Sequence, residues 1–91
     1  MILRAAYTAT MQVTVRLLGP SADAMGASSV SLAIEGEVTC ASLRTLLAER
    51  APAIEPFLRA GRFAVNHTFA SESQRLRDDD EVALISMVSG G

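Results

Sequence analysis

The segment Met11-Gln12-Val13-Thr14-Val15-Arg16-Leu17 alternates apolar and polar side chains without a break, and Ser29-Val30-Ser31-Leu32-Ala33-Ile34 repeats the alternation. A period of two places every second side chain on one face, so each segment reads as a strand with one buried face and one wet face. Between them, Gly19-Pro20-Ser21-Ala22-Asp23-Ala24-Met25-Gly26 is rich in turn formers and reads as a loop with a short helical turn at its centre. The two strands then pair most simply as antiparallel neighbours, with Val30, Leu32 and Ile34 turned inward. Leu18 breaks the phase of the first strand and should point outward, which makes it a candidate contact residue.

After the turn Glu35-Gly36-Glu37 the period changes. Thr39 suits a helix N-cap, its hydroxyl accepting from a backbone N–H two or three residues on. From Cys40 to Arg50, Leu43, Leu46 and Leu47 recur at helical spacing, which assigns Arg44, Glu49 and Arg50 to the watery side. Pro52 ends the helix, because its ring removes an amide donor and disfavours helix in the residue before it. Ala53-Ile54-Glu55-Pro56-Phe57-Leu58 reads as an irregular or short helical connector that finishes the core. Phe63-Ala64-Val65-Asn66 reads as a third strand, His67-Thr68 as a polar turn and Phe69-Ala70 as a short strand. Arg77-Asp78-Asp79-Asp80 is a turn in which Asp side chains bond their own backbone. Those aspartates lack the spaced ligands of a calcium loop, and no metal site is expected.

The last strand, which follows Asp80 and runs almost to the final glycines, differs from the first two. Val82 and Leu84 share one face, yet Ala83, Ile85 and Met87 on the other are also apolar. A domain with one helix covers one face of its sheet, so the second apolar face is expected to be an interface. Beyond it the sequence ends Val88-Ser89-Gly90-Gly91, a thin tail without a Cβ at its last two positions, suited to entering a narrow channel in a partner enzyme. Composition alone would place two glycines at the end of roughly one chain in two hundred, so the tail by itself decides little.

A chain of 91 residues supports one domain with one core. The domain is assigned to residues 11–91, with residues 1–10 as an extension that is disordered or not native to the domain. No apolar run approaches the ~18 residues of a membrane span, and the N-terminal apolar group is too short for a secretory signal, so a cytoplasmic protein without a membrane partner is expected. A net charge of −2 and eight scattered arginines, with no lysine, argue against nucleic acid. One cysteine, Cys40, and one histidine, His67, build neither a disulfide nor a metal centre. Cys40 reads as a small buried apolar residue and His67 as a turn residue. No Ser/His/Asp set, paired acids or phosphate loop suggests independent catalysis.

Strand, strand, helix, strand, short strand, strand gives an α+β fold: a mixed sheet of four to five strands packed on one main helix. That order with its glycine tail resembles the MoaD/ThiS family of ubiquitin-like β-grasp sulfur carriers, most closely the MoaD type, the small subunit of molybdopterin synthase. The resemblance rests on Ser42-Leu43-Arg44, Ala64-Val65-Asn66-His67-Thr68, the stretch from Leu76 to Ile85, and Val88-Ser89-Gly90-Gly91. It spans residues 11 to 91. Two positions depart from the family pattern: Asp79 stands where Gly is frequent, and Ser86-Met87 where a Pro-Pro pair is frequent.

The resemblance implies a chemistry centred on Gly91. A ubiquitin-activating-type adenylyltransferase, using ATP and Mg, would adenylate its carboxylate. A sulfur donor protein would displace AMP to leave a thiocarboxylate, and the tail, with Val88, Ser89 and Gly90, would enter the large subunit of molybdopterin synthase in a heterotetramer. There the sulfur would pass to a pterin precursor. The chain itself would bind no cofactor. Leu18, Phe69, Ile85 and Met87 would form the partner surface beside the tail. Two alternatives stay open: a ThiS-type carrier for the thiazole of thiamin, and a ubiquitin-like modifier or interaction module.

Overall fold

The computed structural model describes residues 10–86. The expectations placed on residues 1–9, on Met87 and on the tail Val88, Ser89, Gly90 and Gly91 lie outside the described residues.

Five strands form one sheet in the order β2-β1-β5-β3-β4. β1 (Thr10–Leu17) and β2 (Ser29–Glu35) are an antiparallel pair, with Val13 opposite Leu32 and Val15 opposite Val30. β5 (Val82–Ile85) lies parallel to β1 on one side and antiparallel to β3 (Arg62–Val65) on the other. The two-residue β4 (Thr68–Phe69) closes the edge beside β3. β1 begins one residue before the expected Met11, because Thr10 pairs with Glu35.

The alternation read from the sequence is the alternation of burial. Met11, Val13, Val15 and Leu17 are buried and their neighbours in β1 are exposed. Onto this apolar face packs α2 (Cys40–Arg50), through the fully buried Leu43 and Leu47. A 3₁₀ turn over Pro52–Ile54 and the short α3 (Glu55–Ala60) add Ile54 and Leu58 beneath it. Phe63 and Leu84 complete the centre of the core. The loop after β1 contains the six-residue α1 (Pro20–Met25), which ends at Gly26 in the left-handed conformation with φ of 73°. No helix among the described residues is long and apolar enough to cross a membrane.

Helix α2 starts where Thr39 was expected to cap it. The Thr39 hydroxyl accepts from the Ser42 amide, while the Ser42 hydroxyl accepts from the Thr39 amide, a reciprocal box that satisfies two donors. Two more helix-start amides are satisfied by the later loop: Cys40 donates to the Gln74 carbonyl and Ala41 to that of Glu72. A helix start leaves about four amides without intrahelical partners, and here the 71–76 loop takes up part of that set.

Two local expectations change. Arg44 was assigned to the watery side of α2, yet its guanidinium is folded inward. It makes a two-pronged bond to the Glu72 carboxylate at 3.0 and 2.7 Å, donates to the carbonyls of Leu58 and Gly61, and lies 5.0 Å from the centre of the Phe63 ring. Its long stem and planar fork let it cover apolar surface while satisfying carbonyls at the end of α3. The second change is the β3–β4 turn, which is Asn66-His67 rather than His67-Thr68. Both residues have positive φ, 52° and 70°, the conformation that suits a two-residue hairpin to the twist of its strands.

Candidate functional site

The face of the sheet turned away from α2 is built from residues whose side chains alternate with the core. Arg16 pairs with Ala83, Ala83 with Ala64, and Ala64 with Phe69. Directly paired residues share a face, so these four stand in one row across four strands. The next row is Leu18, which follows the Leu17–Leu84 pair, then Ile85, then Arg62, the partner of Ile85. Small alanines in the middle strands and larger side chains around them leave a groove of about 450 Å³ floored by Ala64, Ala83 and Ile85 and walled by Leu18 and Phe69.

Leu18 and Phe69 are the two large apolar side chains exposed among the described residues, at 40% and 48% of their full surface. Ile85 is half-buried. The structure therefore brings three of the four expected contact residues to one groove. Met87, the fourth, lies outside the described residues. Arg16, Ala64 and Ala83 belong to the same surface. Their signal in the sequence is parity: Arg16 and Ala83 are out of phase with the buried positions of their own strands.

The groove ends at a polar corner. Asn66 accepts from the Glu81 amide through its side-chain oxygen and donates to the Asp80 carboxylate, both at 2.9 Å, and its own amide donates to the Glu81 carbonyl. This ties the β3–β4 turn to the entry of β5. Asp80 also closes its own turn by accepting from the Arg77 amide. Exposed His67 stands with its Nε2 3.1 Å from the Glu81 carboxylate, as a turn residue at the groove rim.

At the other end, β5 leaves the sheet past Gly61. Continuing from Ile85, the chain runs through Ser86 toward the glycines of the tail. Cys40, the first residue of α2, is fully buried in the core. Burial pushes its thiol up from the ordinary cysteine range, and the nearby Glu72 carboxylate adds to the effect. A thiol held protonated in the core is a poor nucleophile, so Cys40 is a packing residue. Among the described residues no cluster of His, Cys, Asp or Glu could hold a metal ion.

A mixed five-stranded sheet wrapped on one main helix, with a parallel central pair and an apolar groove on its open face, defines a ubiquitin-like β-grasp domain. The sequence profile of the ThiS family matches residues 15–91, and the chain belongs to that family. No curated protein is significantly similar to it in sequence. Among solved structures it is similar to SAMP1 of Haloferax volcanii, at 23% identity and a TM-score of 0.74 over 88% of this chain and 99% of that one. The small archaeal modifier protein 1 of Methanosarcina acetivorans is similar at 18% identity and a TM-score of 0.70, over 91% and 99% of the two chains. A third similar chain is in the complex of subunits 1 and 2 of the molybdopterin-converting factor of Helicobacter pylori. Its identity is 24% and its TM-score 0.63, over 89% of this chain and 100% of that one.

Proposed function

We propose that this chain is a sulfur carrier of molybdenum cofactor synthesis, the small subunit of a molybdopterin synthase. The observation that carries the reading is the apolar groove of Leu18, Phe69 and Ile85 on the open face of β5, the strand that leads into the Gly90-Gly91 tail. A carrier without a reaction centre needs a surface that other proteins grip while the tail reaches their active sites. The solved complex of subunits 1 and 2 from Helicobacter pylori supports a large-subunit partner for a chain of this shape.

In this reading the Gly91 carboxylate is activated by an adenylyltransferase that holds ATP and Mg. A carboxylate is a poor acyl donor because oxide is a poor leaving group, whereas AMP leaves readily. A sulfur donor protein then replaces AMP and leaves a thiocarboxylate, an anionic and soft nucleophile, which the large subunit aims at a pterin precursor. The ThiS-type role for thiamin thiazole and the modifier role share the first activation step and differ in the acceptor.

The test is a reconstitution with the adenylyltransferase, a sulfur donor, ATP and Mg, followed by intact mass measurement. An increase equal to the exchange of one oxygen for sulfur at the C-terminus, followed by its loss when the large subunit and pterin precursor are added, is the expected result. Mass adducts on lysines of other proteins would instead establish a modifier. Sulfur delivery to a thiazole synthase with none to the pterin would establish the thiamin branch. Delivery that survives removal of Gly90 and Gly91 would overturn the carrier reading.

A further inference from the structure

The groove is apolar at its floor and cationic at two of its edges. Arg16 stands in one row with Ala83, and Arg62 stands beside Ile85 in the next, so the two arginines flank the floor on opposite sides. Two strand spacings and one two-residue step separate their backbone positions, about 12 Å along the diagonal. Neither is in an ion pair among the described residues, where Arg44, Arg59 and Arg75 each have a carboxylate. The Arg62 guanidinium lies 4.5 Å from the centre of the Phe69 ring, stacked on the groove wall. Of the nearby acids, Glu72 is bonded to Arg44, and Glu81 stands at the far rim of the groove against His67. On a chain of net charge −2, this face thus presents two guanidinium groups outside any ion pair among the described residues.

We infer that the groove binds a protein segment carrying an apolar anchor flanked by two carboxylates, the anchor seated over Ala83 and Ile85 and the carboxylates paired with Arg16 and Arg62. The inference rests on the reading of this face as a docking surface, and it adds the chemistry of what docks. An apolar anchor supplies most of the adhesion, because its seat is dewetted on binding. Carboxylates on either side of the anchor set the orientation. That orientation matters to a carrier, since a chain docked half a turn away would point its tail out of the partner's active site. Guanidinium suits the task because its planar fork takes a carboxylate with two parallel bonds. Arg62 is held ready by its stacking on Phe69.

The test measures binding of the full chain to the adenylyltransferase of the same organism across a range of salt concentrations. Arg16→Glu and Arg62→Glu are each expected to weaken binding about tenfold, mainly through a slower on-rate, and to flatten its salt dependence. Arg16→Lys should recover most of the on-rate. Changing an opposing partner carboxylate to Arg should restore binding of the charge-reversed chain. Urea midpoints equal to the wild type establish that the variants are folded. If both reversals leave affinity and salt dependence unchanged while Ile85→Asp abolishes binding, the charge inference is overturned and the docking face stands. If Ile85→Asp also binds normally, the docking reading falls with it. Self-association of the free chain that Arg16→Glu abolishes would overturn the inference in favour of a second copy as the occupant.

Discussion

Gly61 and Ile85 approach so closely that a Cβ on Gly61 would stand 2.7 Å from the Ile85 carbonyl oxygen and 2.6 Å from that of Phe57. Gly61 has an extended backbone, with φ of −98°, so the requirement is for space and not for a left-handed turn. The glycine lets the end of β5 sit down on the end of α3, and that contact sets where the chain leaves the sheet toward its tail.

Gly61→Ala is expected to destabilise the domain by about 1–3 kcal/mol, since both obstructing atoms are backbone and cannot swing aside. Urea unfolding measures the loss. Chains that remain folded should also show altered amide shifts at Ile85 and Ser86, because relief of the clash moves the end of β5.

Ile85→Asp puts a charge into the groove floor at a half-buried position outside the core. The expected outcome is a monomer within about 1 kcal/mol of wild-type stability, as for surface substitutions generally, with loss of binding to both the adenylyltransferase and the large subunit. Calorimetric binding and a melting curve on the same sample separate the two effects. Unfolding without a folded, non-binding population would place Ile85 in the core.

The Asn66 side chain makes two hydrogen bonds to the entry of β5 while its backbone holds a positive φ that Asn tolerates better than most residues. Asn66→Ala should therefore cost about 1–3 kcal/mol. His67→Gly should do the reverse, gaining up to about 1 kcal/mol by relieving φ of 70° at the small expense of an exposed contact with Glu81. Denaturant midpoints of the two variants should fall on opposite sides of the wild type.

Hydrogen bonds from Arg44 hold the Glu72 carboxyl below the ordinary glutamate range, and the Arg44 charge acts in the same direction. A carboxyl with a lowered pKa in the folded state contributes stability that is complete above its unfolded pKa of about 4.3 and is lost as pH falls through the folded value. Wild type should exceed Glu72→Gln in stability at neutral pH by less than about 1 kcal/mol, because Glu72 is half exposed. That difference should vanish in acid below the folded pKa, as read by melting temperature against pH.

Cys40 should resist thiol reagents in the native chain and react in urea. Cys40→Ala should keep sulfur delivery intact while costing about 1 kcal/mol for the cavity it leaves. Loss of sulfur transfer in a folded Cys40→Ala chain would contradict its role as packing.

Much of the architecture was legible because strand periodicity is a local signal. Val13, Val15 and Leu17 announce their face within three residues, and Thr39 announces the start of α2. Leu18, Phe69 and Ile85 were legible as outward apolar positions for the same reason. Arg44 was not, because what draws it inward, Leu58, Gly61 and Glu72, lies 14 to 28 residues away, and residue type alone assigns an arginine to water. The Asn66-His67 turn was displaced by one residue because His, rather than Gly, occupies its second position. The pairing of Arg16 and Arg62 across one groove needs the register of β1, β5 and β3 together, which no single segment contains.

The parallel join between β1 and β5 ties residues 15–17 to residues 82–84 in the middle of the sheet. A growing chain therefore carries an open slot between its first and third strands until residues 82–85 have been made. Pairings so distant in sequence form late and slowly. The segment that leads to the glycines is also the one that shuts the domain, so a fragment cut short before it lacks a finished sheet.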